Sequence, residues 1–216
     1  MSSRDTILQA IRSGLSAGPV LERPPAPEVW PRATTDPAAL ALRFGNELEA
    51  VQGEWIRCPT MDDAARQLAE LVDGSQWPVI GAVDGPLCRQ VAAKLHPERL
   101  AWADEDTQPA AIAELPAGLV EAQWLLADTG SCVVLCPTAP ERLMCYLPET
   151  CIVAATADML REHLPAAWEG IAEKLSEPGL RGEVVIITGP SRTADIEKIL
   201  ILGVHGPKRL VVLLVG

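Results

Sequence analysis

Benzenoid aromatics are nearly missing from this chain: one Phe and one Tyr in 216 residues, beside six Trp. Proteins that hold single-stranded nucleic acid stack its bases on aromatic rings. Basic surplus is missing too, with 18 Lys and Arg against 29 Asp and Glu, a net charge of −11 that repels a phosphate backbone. Both scarcities argue against a nucleic-acid partner. No apolar run approaches the ~18 residues that a membrane-spanning helix needs. The opening "MSSRDTILQAIRSG" has no long apolar segment of a secretory signal and carries Asp5 early. The expectation is a soluble, cytoplasmic protein without a membrane span. Six cysteines occur, at 58, 88, 132, 136, 145 and 151, but none forms a C-x-x-C pair. The usual metal-cluster spacings are therefore absent, and in a cytoplasmic chain these cysteines read as small buried hydrophobes rather than disulfides. Cys132 and Cys136 in "SCVVLC" fall on the same side of a predicted strand. No segment matches a phosphate-binding P-loop, a dinucleotide fingerprint, a nucleophile elbow or a zinc-protease helix. "GAVDGP" (81–86) places two glycines after a strand, but not at G-x-G-x-x-G spacing.

What is present is a normal globular share of apolar residues, 48%, with Leu, Val, Ile and Ala left to fill the core beside the tryptophans. The length suits one generous domain, or a domain with an appendage. Ile7, Leu8, Ile11 and Leu15 repeat at helical spacing, so the first 17 residues form a short amphipathic helix. Residues 18–36 follow as a semi-rigid, Pro-rich linker, with prolines at 19, 24, 25, 27 and 31. The main domain is expected over 37–216. Within it, helices are predicted after Asp36, after Thr60 as a cap, after Asp84, and weakly near 105–116. Strands are predicted in "EWIRCP", "WPVIGAV" and "LAWAD". The texture then changes: "AGLVEAQWLLADTGSCVVLCP" reads as two strands around a tight turn at 128–131, and "LMCYLPETCIVAAT" adds one or two more. A helical stretch over 157–175 is expected to break at Pro165. A strand at 183–188, a helix near 194–202 and a strand at 209–215 close the chain. Strands alternating with helices at both ends, around a β-rich middle, specify an α/β fold: a mainly parallel sheet flanked by helices, with an antiparallel insertion and a tethered N-terminal helix.

The densest polar patch stands at "TGPSRTADIE", between an apolar strand and the next element. In open parallel sheets ligands sit beyond the carboxyl ends of strands, and this loop is read in that position. After Thr188, Gly189 permits close backbone approach or unusual φ, Pro190 stiffens the turn, and Ser191 or Thr193 can cap the next helix. Arg192 offers a planar fork to a carboxylate or phosphate. Asp195 and Glu197 in the first helical turn equally suit a helix start that binds nothing. Charge supports an anion site, since residues 181–216 carry five bases (Arg181, Arg192, Lys198, Lys208, Arg209) against three acids in an otherwise acidic protein. "LGVHGP" ends the expected helix, leaving His205 on a loop beside Gly206. "DTGS" brings the hydroxyls of Thr129 and Ser131 to either side of Gly130.

Together, "LADTGS" (126–131) and "ITGPSRTADIEKILILGVHGPKRLVVLLV" (187–215) resemble the LUD-domain family, in its lactate utilization protein C, YkgG-like branch. The resemblance covers most of the chain and is looser over "ERLMCYLPETCIVAA". It implies a fold like the NagB/RpiA/CoA-transferase group. It also implies a part in oxidising L-lactate to pyruvate, alongside two partner proteins that carry iron–sulfur clusters. With no C-x-x-C-x-x-C run, this chain is expected to hold no such cluster itself. The resemblance draws Thr129, Gly130, Ser131, Thr188, Gly189, Pro190, Ser191, Arg192, Thr193 and Gly206 into one candidate ligand site for a small anion. It adds Glu197 and His205 as acid–base candidates. Two readings compete with a subunit that binds a ligand: a stand-alone transferase or cyclo-ligase acting on a CoA- or ATP-dependent substrate, and an assembly module. Whether the chain is itself an enzyme, which cofactor it uses and whether it forms a homo-oligomer stay open on sequence grounds.

Overall fold

Two apolar runs, "TCIVAAT" and "RLVVLLV", become the centre of the molecule because strands buried on both faces need no polar alternation. They form β7 (Thr150–Thr156) and β12 (Arg209–Val215), parallel neighbours in register from Arg209 opposite Thr150 to Val215 opposite Thr156. The structure is a computed structural model that describes residues 3–16, 36–177, 183–193, 201–202 and 206–216. The chain divides into two units, Met1–Pro31 and Arg32–Gly216. In the first, α1 (Ser3–Ser16) carries Ile7, Leu8, Ile11 and Leu15 at helical spacing.

In the second unit, β1 (Glu54–Cys58), β2 (Ile80–Val83), β3 (Leu100–Ala103) and β4 (Ala117–Glu121) join β7 and β12 in an all-parallel sheet of order β1-β12-β7-β4-β2-β3. Helices α2 (Pro37–Ala50), α3 (Met61–Gly74), α4 (Pro86–Val91), α5 (Pro109–Ala113) and α6 (Ala139–Met144) connect and flank these strands. Their starts follow local chemistry. Asp36 accepts from the Ala39 amide at 3.0 Å, and Thr60 with Asp63 forms a reciprocal capping box. Phe44, Leu48, Leu68, Ile152 and Leu213 are fully buried in one large core. Truncating any of them to Ala costs about 2–5 kcal/mol.

A second, four-stranded sheet has the order β8-β5-β6-β9: β8 (Leu160–Arg161), β5 (Trp124–Leu126), β6 (Ser131–Leu135) and β9 (Val184–Ile187). β5 and β6 form the expected hairpin around 128–130. Period-two alternation divides this sheet between two cores. Leu125, Cys132, Val134 and Cys136 join the large core, whereas Trp124, Leu126 and Val133 meet Ala167 and Ile171 of α7 (Leu164–Leu175). Cys132 and Cys136 thus share a side, as their spacing predicts.

Several expectations are corrected. β4, read as part of the hairpin region, belongs to the parallel sheet. β9 does not: it pairs antiparallel with β6, Cys132 facing Ile187 and Leu135 facing Val184. An apolar run of four states a strand, not which sheet claims it, and here only Ile187 is buried. Pro165 does not break a helix but begins α7, where its missing N–H has no partner to lose. Of the one or two strands expected in "LMCYLPETCIVAAT", one forms, β7, and the Leu143–Met144 start of that segment instead ends α6, which Thr138 caps. The helix expected near 194–202 does not extend to its end, because β10 (Arg192–Thr193) pairs antiparallel with β11 (Ile201–Leu202). Residues 194–200, Glu197 among them, lie outside the described residues, as does His205.

Candidate functional site

The parallel sheet has an amino rim, where α2 hands over to β1, and a carboxyl rim, where β2 leads into α4. β5 leaves the carboxyl end of β4 and runs back, so its hairpin tip at 128–130 arrives at the amino rim. β9, antiparallel to β6, delivers residues 188–191 to the same place. The loop "TGPSR" therefore does not extend a parallel strand at its carboxyl end. It lies at the opposite rim, joined to the turn some sixty positions earlier.

The junction is built on backbone packing. Gly130 has φ +63°, and a Cβ there would stand 2.3 Å from the amide nitrogen of Leu48 at the end of α2. Gly189, φ +77°, has the Val51 carbonyl oxygen 2.7 Å from where its Cβ would be. Only glycine takes this conformation at little cost and also leaves room for the helix end. Ser191 donates its amide to the Pro207 carbonyl at 2.8 Å, and a Cβ on Gly206 would touch the Ser191 side chain at 3.1 Å. Pro190 is buried beside them.

Between the loops runs a line of hydroxyls. The buried Ser131 Oγ donates to Thr129 Oγ1 at 2.8 Å and lies 2.6 Å from Thr188 Oγ1. Thr129 donates to the Asp128 carboxylate at 3.3 Å. A carboxylate only accepts and each hydroxyl has one proton, so the donors point in one direction, Thr188 to Ser131 to Thr129 to Asp128. The exposed Thr188 end then offers oxygen lone pairs, suited to a ligand hydroxyl. A ligand anion needs a separate donor. Arg192 and Thr193 enter the fold through backbone pairing with Leu202 and Ile201, while their side chains lie outside what the structure describes. The nearby cations at the start of β12 are engaged: Lys208 with Glu149, and Arg209 in a two-pronged contact with Glu54 at 2.6 and 2.7 Å. That contact holds the Glu54 carboxyl below the usual range.

The cysteines serve packing. All six are free and buried. Burial pushes the Cys151 thiol up to about 12. Cys132 is moved the same way by burial, and Cys145 by the adjacent Cys136 sulfur, 4.0 Å away, and by burial. Ligation and nucleophilic attack need the thiolate, which this setting disfavours. Among the described residues no group of three or more His, Cys, Asp or Glu has the geometry to hold a metal, and no helix is long and apolar enough to cross a membrane.

Of the residues that sequence reasoning names, Thr129, Gly130, Ser131, Thr188, Gly189, Pro190, Ser191 and Gly206 meet at the amino rim, whereas Glu197, His205 and the side chains of Arg192 and Thr193 lie outside the described residues. That reasoning singles out nothing at the carboxyl rim, where Glu121 and Glu141 face an open crevice. "GAVDGP", set aside for its glycine spacing, was the available signal.

Comparison with known proteins agrees with this architecture. The uncharacterized protein YkgG of Escherichia coli is 35% identical over 103 residues, 45% of this chain and 43% of that protein. Lactate utilization protein C of Geobacillus thermodenitrificans is 24% identical over 231 aligned positions, covering 97% of this chain and 94% of that one. The chain spans about half or less of the length of the first relatives it matches, 54%, 43% and 39%. Among solved structures, a DUF162 family protein from Deinococcus radiodurans superposes with a TM-score of 0.60 over 85% of this chain and all of that one, at 15% identity, a likeness of fold. The LUD domain itself matches residues 42–215, from within α2 to the last residue of β12, and the chain belongs to the LUD-domain family.

Proposed function

We propose that this chain is a subunit of an L-lactate utilization system, acting with iron–sulfur partner proteins that take the electrons as lactate becomes pyruvate. Its own part is to bind a small 2-hydroxy acid at the amino rim. The observation that carries the reading is the near full-length likeness to a protein named lactate utilization protein C. The site chemistry is compatible with it. In the proposed pose the Thr188 oxygen accepts from the substrate hydroxyl, with the hydroxyl line behind it ending on Asp128. The carboxylate is assigned to Arg192, whose planar fork matches two oxygens.

The test is genetic and biochemical together. A strain lacking this chain is expected to stop growing on L-lactate while growing normally on pyruvate, and to recover with the wild-type chain but not with Thr188→Val or Arg192→Ala. Purified alone, the chain is expected to leave lactate unoxidised. Turnover of lactate by the isolated chain, or unimpaired growth of the deletion strain, would refute the assignment.

A further inference from the structure

Strand order marks a second place on the sheet. From β2 the chain moves outward to the edge strand β3, whereas from β4 it moves the other way, to β7. β2 and β4 are neighbours, and the connection from β4 to β7 returns over both strands through α6, so their carboxyl ends border a gap walled by that connection. Open parallel sheets bind their ligands in crevices beyond the carboxyl ends of their strands. Here the gap holds a cavity of about 350 Å³, lined by Asp84 and Gly85 after β2, Glu121 and Gln123 after β4, Glu141 on α6 and Lys174 on α7. That volume suits a small molecule.

The walls are firmly held. Glu121 Oε2 accepts from the amides of Leu87 at 2.9 Å and Cys88 at 3.1 Å. Residue 85 is glycine because a Cβ there would stand 2.2 Å from that same oxygen. Gln123 Oε1 accepts from the Leu135 amide at 2.6 Å. The cations around the crevice are already engaged. Arg89 holds Asp84 and stacks 5.0 Å from the centre of the Trp102 ring, and Lys174 pairs with Glu177 at 2.8 Å. Among the described residues no ion pair reaches Glu121 or Glu141. Burial first, and the Glu121 charge in addition, hold the Glu141 carboxyl above its usual range against a contact from Thr138. A partly desolvated carboxylate beside another and without a cation, as Glu141 is, is costly to keep ionised.

We propose that this crevice is a second ligand site, at the rim opposite the hydroxyl turn, and that it takes a small organic cation, an amine or guanidine of a few carbons, whose charge is met by Glu121 and Glu141. An anion is disfavoured by four lining carboxylates (Asp84, Glu121, Glu141, Glu177) against the single ammonium of Lys174. A bare metal ion is disfavoured because no cluster among the described residues has ligating geometry. A bound cation favours the ionised form of Glu141, which burial disfavours in its absence, so affinity is expected to rise with pH. The proposal does not rest on the lactate reading and goes beyond it.

Putrescine, agmatine and choline are titrated against the full chain by calorimetry at pH 5.5 and pH 8, with L-lactate and ATP as competitors. At least one cation is expected to bind saturably and more tightly at pH 8, unaffected by lactate. Glu141→Gln is expected to weaken that binding at least fivefold while the chain melts no lower than wild type. Glu121→Gln, which keeps an acceptor for the α4 amides, is expected to do the same to binding. The proposal is overturned if none of the three cations binds saturably, if binding is equal at the two pH values, if it survives Glu141→Gln within less than fivefold, or if lactate displaces it.

Discussion

The two rims of the parallel sheet solve opposite problems. At the amino rim, two turns are pressed against the backbone at the end of α2, and the charges and hydroxyls named there are paired, hydroxyl to hydroxyl to Asp128, Lys208 to Glu149, Arg209 to Glu54, with the outer Thr188 oxygen left to accept from a ligand. At the carboxyl rim, the approach is backbone to side chain, Gly85 to Glu121, and two carboxylates remain without a counter-charge. A rim fixed by backbone contact is rigid and tolerates little change. A rim fixed by side chains keeps charge in reserve for something that arrives later. Charge balance, rather than hydrogen-bond satisfaction, separates the two rims, since Glu121 and Glu141 have hydrogen-bond donors but no cation.

The sharpest way to break this contrast is a methyl group on each rim. Gly130→Ala meets the Leu48 backbone and a left-handed φ together, so a loss of about 3 kcal/mol or more is expected, read as a melting temperature lower by roughly 6–12 °C. Gly85→Ala meets only a carboxylate, which can turn aside. About 1 kcal/mol is expected there, together with lost order at the start of α4 in hydrogen exchange. Equal losses at both positions would erase the distinction between the rims.

Next in size is Ser131→Ala. It removes the middle of the hydroxyl line and leaves Thr129 and Thr188 to water, at an expected cost of about 1–2 kcal/mol by chemical denaturation. At the other rim the sign reverses. Glu141 binds its proton more tightly folded than unfolded, so its contribution to stability is present below the unfolded carboxyl range and lost as pH rises through the folded value. Glu141→Gln is therefore expected to match or exceed wild type in stability at pH 7 and to flatten the decline between pH 4 and 7. A less stable variant at pH 7 would show that Glu141 is a structural anchor.

Much of this was open to sequence reading wherever a local rule governs. Thr60 with Asp63 states a helix start, "SCVVLC" states a two-residue period, and the unbroken apolar runs of β7 and β12 state a doubly covered sheet. The joining of "DTGS" to "TGPSR" also came through, although its premise failed: the loop does not follow a parallel strand, because β9 takes β6 as its partner through a register set 49 to 55 positions away. Glu121 was invisible for a related reason. A single acid at a strand end looks like solvated charge until Gly85 and the first amides of α4, more than thirty positions earlier, close around it. Local chemistry is written locally, but which distant element completes it is decided by packing.

The smallest expected effect lies at the satisfied rim. Glu54 and Arg209 make a two-pronged contact across neighbouring strands, but both side chains are well exposed to water. Such pairs contribute about 0–1 kcal/mol after solvent screening. The hydrogen bond from Arg209, reinforced by its charge, holds the Glu54 carboxyl below its usual range. Its stabilisation is thus fully present above the unfolded carboxyl value and lost as pH falls through the lower, folded one. Glu54→Gln should cost under about 1 kcal/mol at pH 7, nothing measurable at pH 2.5, and less in 1 M salt than in 0.05 M. That is the inverse of the pH trend at Glu141, so measuring both variants over pH 3–8 gives two difference curves of opposite slope if the rims differ as described. Parallel curves would mean that both carboxylates sit in equivalent, solvated surroundings, and that no crevice holds uncompensated charge.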